Sequence, residues 1–172
     1  MAQYLLGYDV NSTNPDEWRA AEEKLKEQKP LIQSYVMDEV FNKMEAGEAA
    51  MAPYYAGDYL TMKQENDDLA FVYPKEGTNK FVDVMCIPSS SENKEAAELF
   101  INYMCEPEVA LHNANYLGYL CPVTAVLSDD RYEYKDNEVL YPKQEVKTQF
   151  FHNLDQDTLD LLSKLWEDLK LA

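Results

Sequence analysis

The chain has 172 residues, 46% of them apolar and 27% charged, which is globular composition with enough length to bury a core. Its 32 acidic residues outweigh 15 basic ones for a net charge of −17, which disfavours nucleic acid and anionic lipid as partners and favours cations, although an acidic surface that serves only solubility would give the same balance. No apolar run approaches the roughly 20 residues of a membrane-spanning helix.

In chain order, YLLG at the start reads as the last turn of a helix closed by Gly7. NPDEWRAAEEKLKEQKP then predicts a helix capped by Asn14, opened by Pro15 and stopped by Pro30, with Trp18, Ala21 and Leu25 inward. LIQSYV (31–36) alternates as a strand does. DEVFNKMEAG is a short helix with Val40, Phe41 and Met44 inward and Gly47 as terminator. EAAMAPYY (48–55) predicts a strand and AGDYLTMKQE a helix. LAFVYP (69–74) and KFVDVMCIP (80–88) predict two more strands joined by the turn KEGTN.

Residues 93–105 and 107–116 predict helices, the second opened by Pro107 and closed near Gly118. SSSEN (89–93) fits a hinge or surface loop. Residues 127–147 read as irregular, with the acid pairs at 67–68 and 129–130 as solvated turns. The chain ends in an amphipathic helix with Leu159, Leu162, Trp166 and Leu169 on one face. Strands alternating with helices predict an α/β layered fold with parallel pairing.

Catalytic signatures are missing. There is no GxSxG, no glycine-rich phosphate loop and no HExxH. His112 sits in a helix and His152 follows Phe150 and Phe151, both ordinary structural settings. The odd, widely spaced Cys86, Cys105 and Cys121 form no zinc pattern and read as free buried thiols, so no metal or cofactor is implied. The chemistry that stands out is one acid among rings. Asp83 interrupts the apolar run 80–88, where a buried carboxylate without a partner is costly. Phe81 projects from the same strand face, and Tyr54, Tyr55 and Tyr119 lie beside polar turns. Rings pack the methylenes of an organic cation and attract its charge, while a carboxylate pairs with its ammonium hydrogens. Tyrosines at the half-buried edge of a core fit the same pattern equally well.

The stretches LGYDVNSTNPDE, GEAAMAPYYAGDYLTM, FVYPKEGTNKFVDVMCIP, NKEAAELFINYMCEPEVA and LGYLCPVTA resemble, in order and spacing, the later half of bacterial spermidine/putrescine-binding proteins. These are extracytoplasmic receptors of polyamine ABC importers. The resemblance implies a two-lobed α/β fold of the periplasmic-binding-protein type II class, present as a fragment dominated by the second lobe. Residues 1–82 are expected in that lobe, 83–125 in a segment that crosses to the first, and 126–172 in a return ending in the terminal helix.

It implies polyamine binding in an interlobe cleft, without catalysis. Asp83 is expected to meet an amine of the ligand. Tyr55 and Phe81 stand where the family often has tryptophan, Tyr119 matches the family's Gly-Tyr tyrosine, and His152 falls near a position that carries an amide. Tyr54 has no counterpart. Permease subunits are the implied protein partners. A receptor of the same fold for another small cation or an amino-acid-like molecule is the competing reading. The family's other acidic ligand residues and its first-lobe core are expected upstream of this segment. The 172 residues alone are therefore expected to bind weakly, and to self-associate through Phe100, Ile101, Met104 and Leu117.

Overall fold

The computed structural model describes residues 2–172. In chain order the elements are α1 (Ala2–Leu6), α2 (Pro15–Gln28), a 3-10 turn (Lys29–Leu31), α3 (Glu39–Glu45), α4 (Ala56–Glu65), β1 (Thr78–Lys80), α5 (Lys94–Met104), α6 (Pro107–Leu117), α7 (Thr124–Leu127), β2 (Thr148–Phe150) and α8 (Gln156–Leu171). They pack as two units. The first holds the residues through Val36, Val72–Val82 and Glu145–Ala172, and the second holds Met37–Phe71 and Asp83–Gln144.

In the first unit the helix ends are closed by the residue types that close helices. Asn14 Oδ1 accepts the Asp16 N–H at 3.0 Å to start α2, and Asp155 Oδ1 accepts the Thr158 N–H at 2.8 Å to start α8. The two helices pack together. Lys29 Nζ donates to the carbonyls of Leu169 and Lys170 at 2.8 and 3.0 Å, satisfying acceptors that the last turn of α8 leaves open. The buried stripe of α8 is Thr158, Leu165 and Leu169, with Leu162 half-buried. This corrects the expected face, since Leu159 and Trp166 are 43% and 44% exposed, and the Trp166 ring meets Tyr35 edge-on at 5.0 Å and lies under Lys170 Nζ at 6.0 Å.

β1 and β2 form a parallel pair in the register Thr78↔Thr148, Asn79↔Gln149, Lys80↔Phe150. Tyr4, buried on α1, donates its hydroxyl to the Thr78 carbonyl at 2.6 Å and ties the start of the chain to β1. Asn11 borders β2: its amide donates to the Phe150 carbonyl at 2.8 Å and its Oδ1 accepts the His152 N–H at 2.7 Å.

The expected strands at 31–36, 48–55, 69–74 and 80–88 are not strands, apart from Lys80 at the end of β1. A strand needs a neighbour for its backbone groups, and among the described residues only 78–80 and 148–150 provide one for each other. The consequence is plainest after Lys80. Val82, Val84 and Met85 are 66%, 74% and 51% exposed, and Asp83 and Cys86 are exposed with them. Asp83 is therefore not set in a buried strand. Nor are the cysteines buried thiols: Cys105 is exposed too, and Cys121 is half-buried.

The core of the second unit is Ala110, Leu111 and Ala114 of α6 with Val126 of α7 and Tyr132, extended by Cys121, Val123, Tyr134 and Tyr141. Pro107 opens α6 and Gly118, at φ +67°, closes it in the left-handed conformation that glycine adopts without steric cost. The segment after α7 has no regular structure up to β2, yet it is tied to α6. Asn115 donates to the Arg131 carbonyl at 2.9 Å and accepts the Glu133 N–H at 3.0 Å. Arg131 also forks onto Glu108 at 2.7 and 3.0 Å and pairs with Asp129 at 2.7 Å, which holds the Asp129 carboxyl down at a pKa of about 2. Asp129 is thus an ion-pair partner, and Asp130 pairs with Lys135 at 2.8 Å. These exposed pairs orient the segment more than they stabilise it. α5 buries no residue: Leu99, Phe100 and Tyr103 are exposed, as is Leu117 on α6, while Ile101 and Met104 are half-buried.

Candidate functional site

The second unit gathers its chemistry at the N-terminus of α4. Tyr55 occupies the N-cap position in extended conformation, and its side chain caps nothing. Two residues on, Gly57 is buried beneath the ring of Tyr119. A β-carbon at Gly57 would lie 2.3 Å from two carbons of that ring, closer than atoms can approach, so glycine is what lets the ring lie against the helix backbone. The next residue, Asp58, is near enough for its carboxylate to act on the Tyr119 phenol.

These contacts leave a definite electrostatic signature. Burial, the Asp58 carboxylate and then the Asp83 carboxylate push the Tyr119 phenol well above the ordinary tyrosine value of 10.0. Asp83 is therefore near enough for its charge to act on Tyr119, and it is exposed to solvent. Beside these negative charges the phenol oxygen can serve a ligand as an acceptor. Two carboxylates and a phenol oxygen then present acceptors to one locality, which suits a donor-only group such as an ammonium ion.

The neighbouring rings build the wall of this place. Tyr54 lies 5.2 Å from Tyr55 and meets Phe41 edge-on at 5.6 Å. Burial, then the charges of Asp38 and Asp58, raise the Tyr54 phenol. Tyr54 is thus packed against α3, and Tyr55 is the more open of the two at 40% exposure.

The first unit carries the other two residues singled out in the sequence. Phe81 follows β1 directly and His152 lies two residues past the end of β2, so both leave the carboxyl ends of a parallel pair, where α/β folds commonly bind ligands. Phe81 is 43% exposed. His152 lines a cavity of about 480 Å³ with Val10, Trp18, Phe151, Leu159 and Leu162, which is largely apolar.

Asp58 escaped the sequence reading. An acid in the first turn of a helix is the commonest response to the helix dipole, so nothing in AGDYLTMKQE separates Asp58 from an ordinary helix start. Its meaning comes from Tyr119, 61 positions away in the chain.

A family model described as bacterial extracellular solute-binding protein matches residues 1–140. The spermidine/putrescine-binding periplasmic protein of Salmonella typhimurium is 34% identical over 142 residues, covering 83% of this chain and 41% of that protein. The putrescine-binding periplasmic protein PotF of Escherichia coli is 28% identical over 159 residues, covering 88% of this chain and 43% of that protein. The crystal structure of the spermidine/putrescine ABC transporter substrate-binding protein PotD from Streptococcus pneumoniae superposes with a TM-score of 0.83 at 30% identity, covering 99% of this chain and 53% of that one. The chain thus spans about half the length of the relatives it matches.

The packing of Tyr119 on α4 makes one substitution decisive. Gly57→Ala is expected to drive the Tyr119 ring off the helix, out of its buried place and away from the Asp58 charge. The tyrosinate absorbance that disappears in Tyr119→Phe should then titrate near pH 10 instead of well above it. A Gly57→Ala protein whose Tyr119 still ionises as in the parent would contradict this geometry.

Proposed function

This chain belongs to the bacterial extracellular solute-binding protein family and carries about half of a type II periplasmic-binding-protein fold, and on that premise we propose that it binds a polyamine, putrescine or spermidine, as part of the extracytoplasmic receptor of an ABC importer. The role is capture without catalysis, ahead of hand-over to permease subunits. The observation that carries this reading is the convergence of Asp58 and Asp83 on Tyr119, an acceptor-rich locality for an ammonium group.

In this proposal Asp83 pairs with an amine of the ligand and Tyr119 accepts a further ammonium hydrogen. Tyr55 and Phe81 pack the methylene chain and face its charge with their π clouds. His152 is assigned as a further ligand contact, on its place at the end of β2. The names of the relatives point to the same ligand class: spermidine and putrescine in one case, putrescine in the other.

A second copy of the chain is the protein partner we assign to the apolar residues exposed on α5 and α6, Leu99, Phe100 and Leu117 among them. Light scattering should show a mass that rises with concentration, and one that stays monomeric throughout would remove this partner.

Calorimetric titration of the full-length protein with putrescine, spermidine and the uncharged butanediol tests the main reading. Both amines should bind and the diol should not. Asp83→Asn should weaken the amines about tenfold to a hundredfold, the loss of one charge-assisted hydrogen bond. Equal affinity for amine and diol, or an Asp83→Asn protein that binds as the parent does, would refute it.

A further inference from the structure

Three tyrosines of the second unit surround the turn that carries Tyr119, in a segment the sequence leaves irregular. Tyr132 is 3% exposed, so its hydroxyl must find partners within the protein. It has two. Its hydroxyl donates to the Tyr119 carbonyl at 3.4 Å, and it lies 3.2 Å from the Tyr141 hydroxyl. Either phenol can be the donor in the Tyr132–Tyr141 contact, and the three groups form one chain from Tyr141 through Tyr132 to the Tyr119 backbone.

The rings stand to match, with Tyr141 perpendicular to Tyr132 at 6.4 Å between centroids and Tyr134 at 6.2 Å. Tyr134 also closes off the preceding residue. A β-carbon on Gly118 would sit 3.3 Å from the Tyr134 hydroxyl. The trio is fixed in turn by Asn137, whose Oδ1 accepts the Val139 and Leu140 N–H groups and whose carbonyl accepts the Tyr141 N–H at 2.8 Å.

We propose that Tyr132 and Tyr141 are positioning residues for polyamine binding: their hydroxyl pair holds the Gly118–Tyr119 turn so that the Tyr119 ring lies on α4 at Gly57 and its hydroxyl offers an acceptor to the ligand. The inference rests on the polyamine reading above and extends it to residues that touch no ligand. Tyr119 is then held at two places, its ring against Gly57 of α4 and its backbone by Tyr132.

Tyr132→Phe and Tyr141→Phe test this in the full-length protein, each with and without Tyr119→Phe. Each should weaken putrescine binding about threefold to tenfold, as expected for one neutral hydrogen bond. The double variant Tyr132→Phe/Tyr141→Phe should lose no more than Tyr132→Phe alone, because one chain is broken either way. In the Tyr119→Phe background the loss should vanish, since no hydroxyl remains to be placed. An affinity loss that persists undiminished there, or a lowered melting temperature with unchanged affinity, would reduce the pair to a structural role and overturn the proposal.

Alkaline titration gives a second readout that needs no ligand. Burial, then the Tyr141 hydroxyl, raise the Tyr132 phenol above 10.0, and Tyr119 is raised as well. A phenol whose folded pKa is raised stabilises the fold fully below pH 10, and that contribution is lost as pH climbs from 10 toward the folded value, because the unfolded chain ionises first. In Tyr132→Phe the Tyr119 phenol should ionise nearer 10, whereas an unchanged Tyr119 titration would overturn the positioning role. A protein that binds no amine but shows this shift would overturn the polyamine reading and leave the positioning of Tyr119 standing.

Discussion

The second unit is organised around the hydroxyl of one tyrosine. Tyr119 lies on the bare backbone of Gly57, and the Asp58 and Asp83 carboxylates act on its phenol. Those contacts join the turn after α6 to the start of α4, across 61 residues of sequence. They also dictate what the phenol can do next. The oxygen can accept a hydrogen, and the charges acting on it are negative. An anion or a carbonyl would find no donor on either carboxylate. A primary ammonium brings three donors and a positive charge.

The net charge of −17 acts at a different range. A strongly acidic surface draws cations toward it and speeds their arrival, an effect that salt screens. It cannot choose among them, since any cation feels the same field. Choice requires fixed acceptors at defined separations and ring faces for the apolar spacer between charges. Asp58, Asp83 and Tyr119 supply acceptors, and Tyr55 at the start of α4 supplies a ring. Rigid placement matters because each acceptor that must be ordered on binding subtracts from affinity. The hydroxyl pair of Tyr132 and Tyr141 places that ordering within folding rather than within binding.

Much of the helical structure was legible in local sequence. Asn14 before Pro15 and Gly118 after α6 mark ends that depend on neighbouring residues only, and the structure closes the helices there. The strands were not legible in the same way. LAFVYP and KFVDVMCIP have strand composition, but a strand exists only where a second one lies alongside, and composition does not report that. Lys80 finds Phe150, while Val82 to Met85 find no ladder partner among the described residues and stand exposed. The site divided similarly. Asp83, Tyr55, Phe81 and Tyr119 carried a readable pattern of acid and rings. Asp58 looked like an ordinary first-turn acid. Tyr132 and Tyr141 lay in a segment whose path is set by Asn115 and Glu108 of α6, contacts that no local rule anticipates.

The central claim is that the Tyr119 hydroxyl is a ligand acceptor flanked by two carboxylates. The most direct measurement is the ring-carbon NMR signal of tyrosine-labelled full-length protein, with Tyr119 identified by its loss in Tyr119→Phe, followed as putrescine is added. The account predicts a saturable shift of the Tyr119 signal that Asp58→Asn and Asp83→Asn each weaken. A Tyr119 signal that stays put while putrescine binds elsewhere would contradict it.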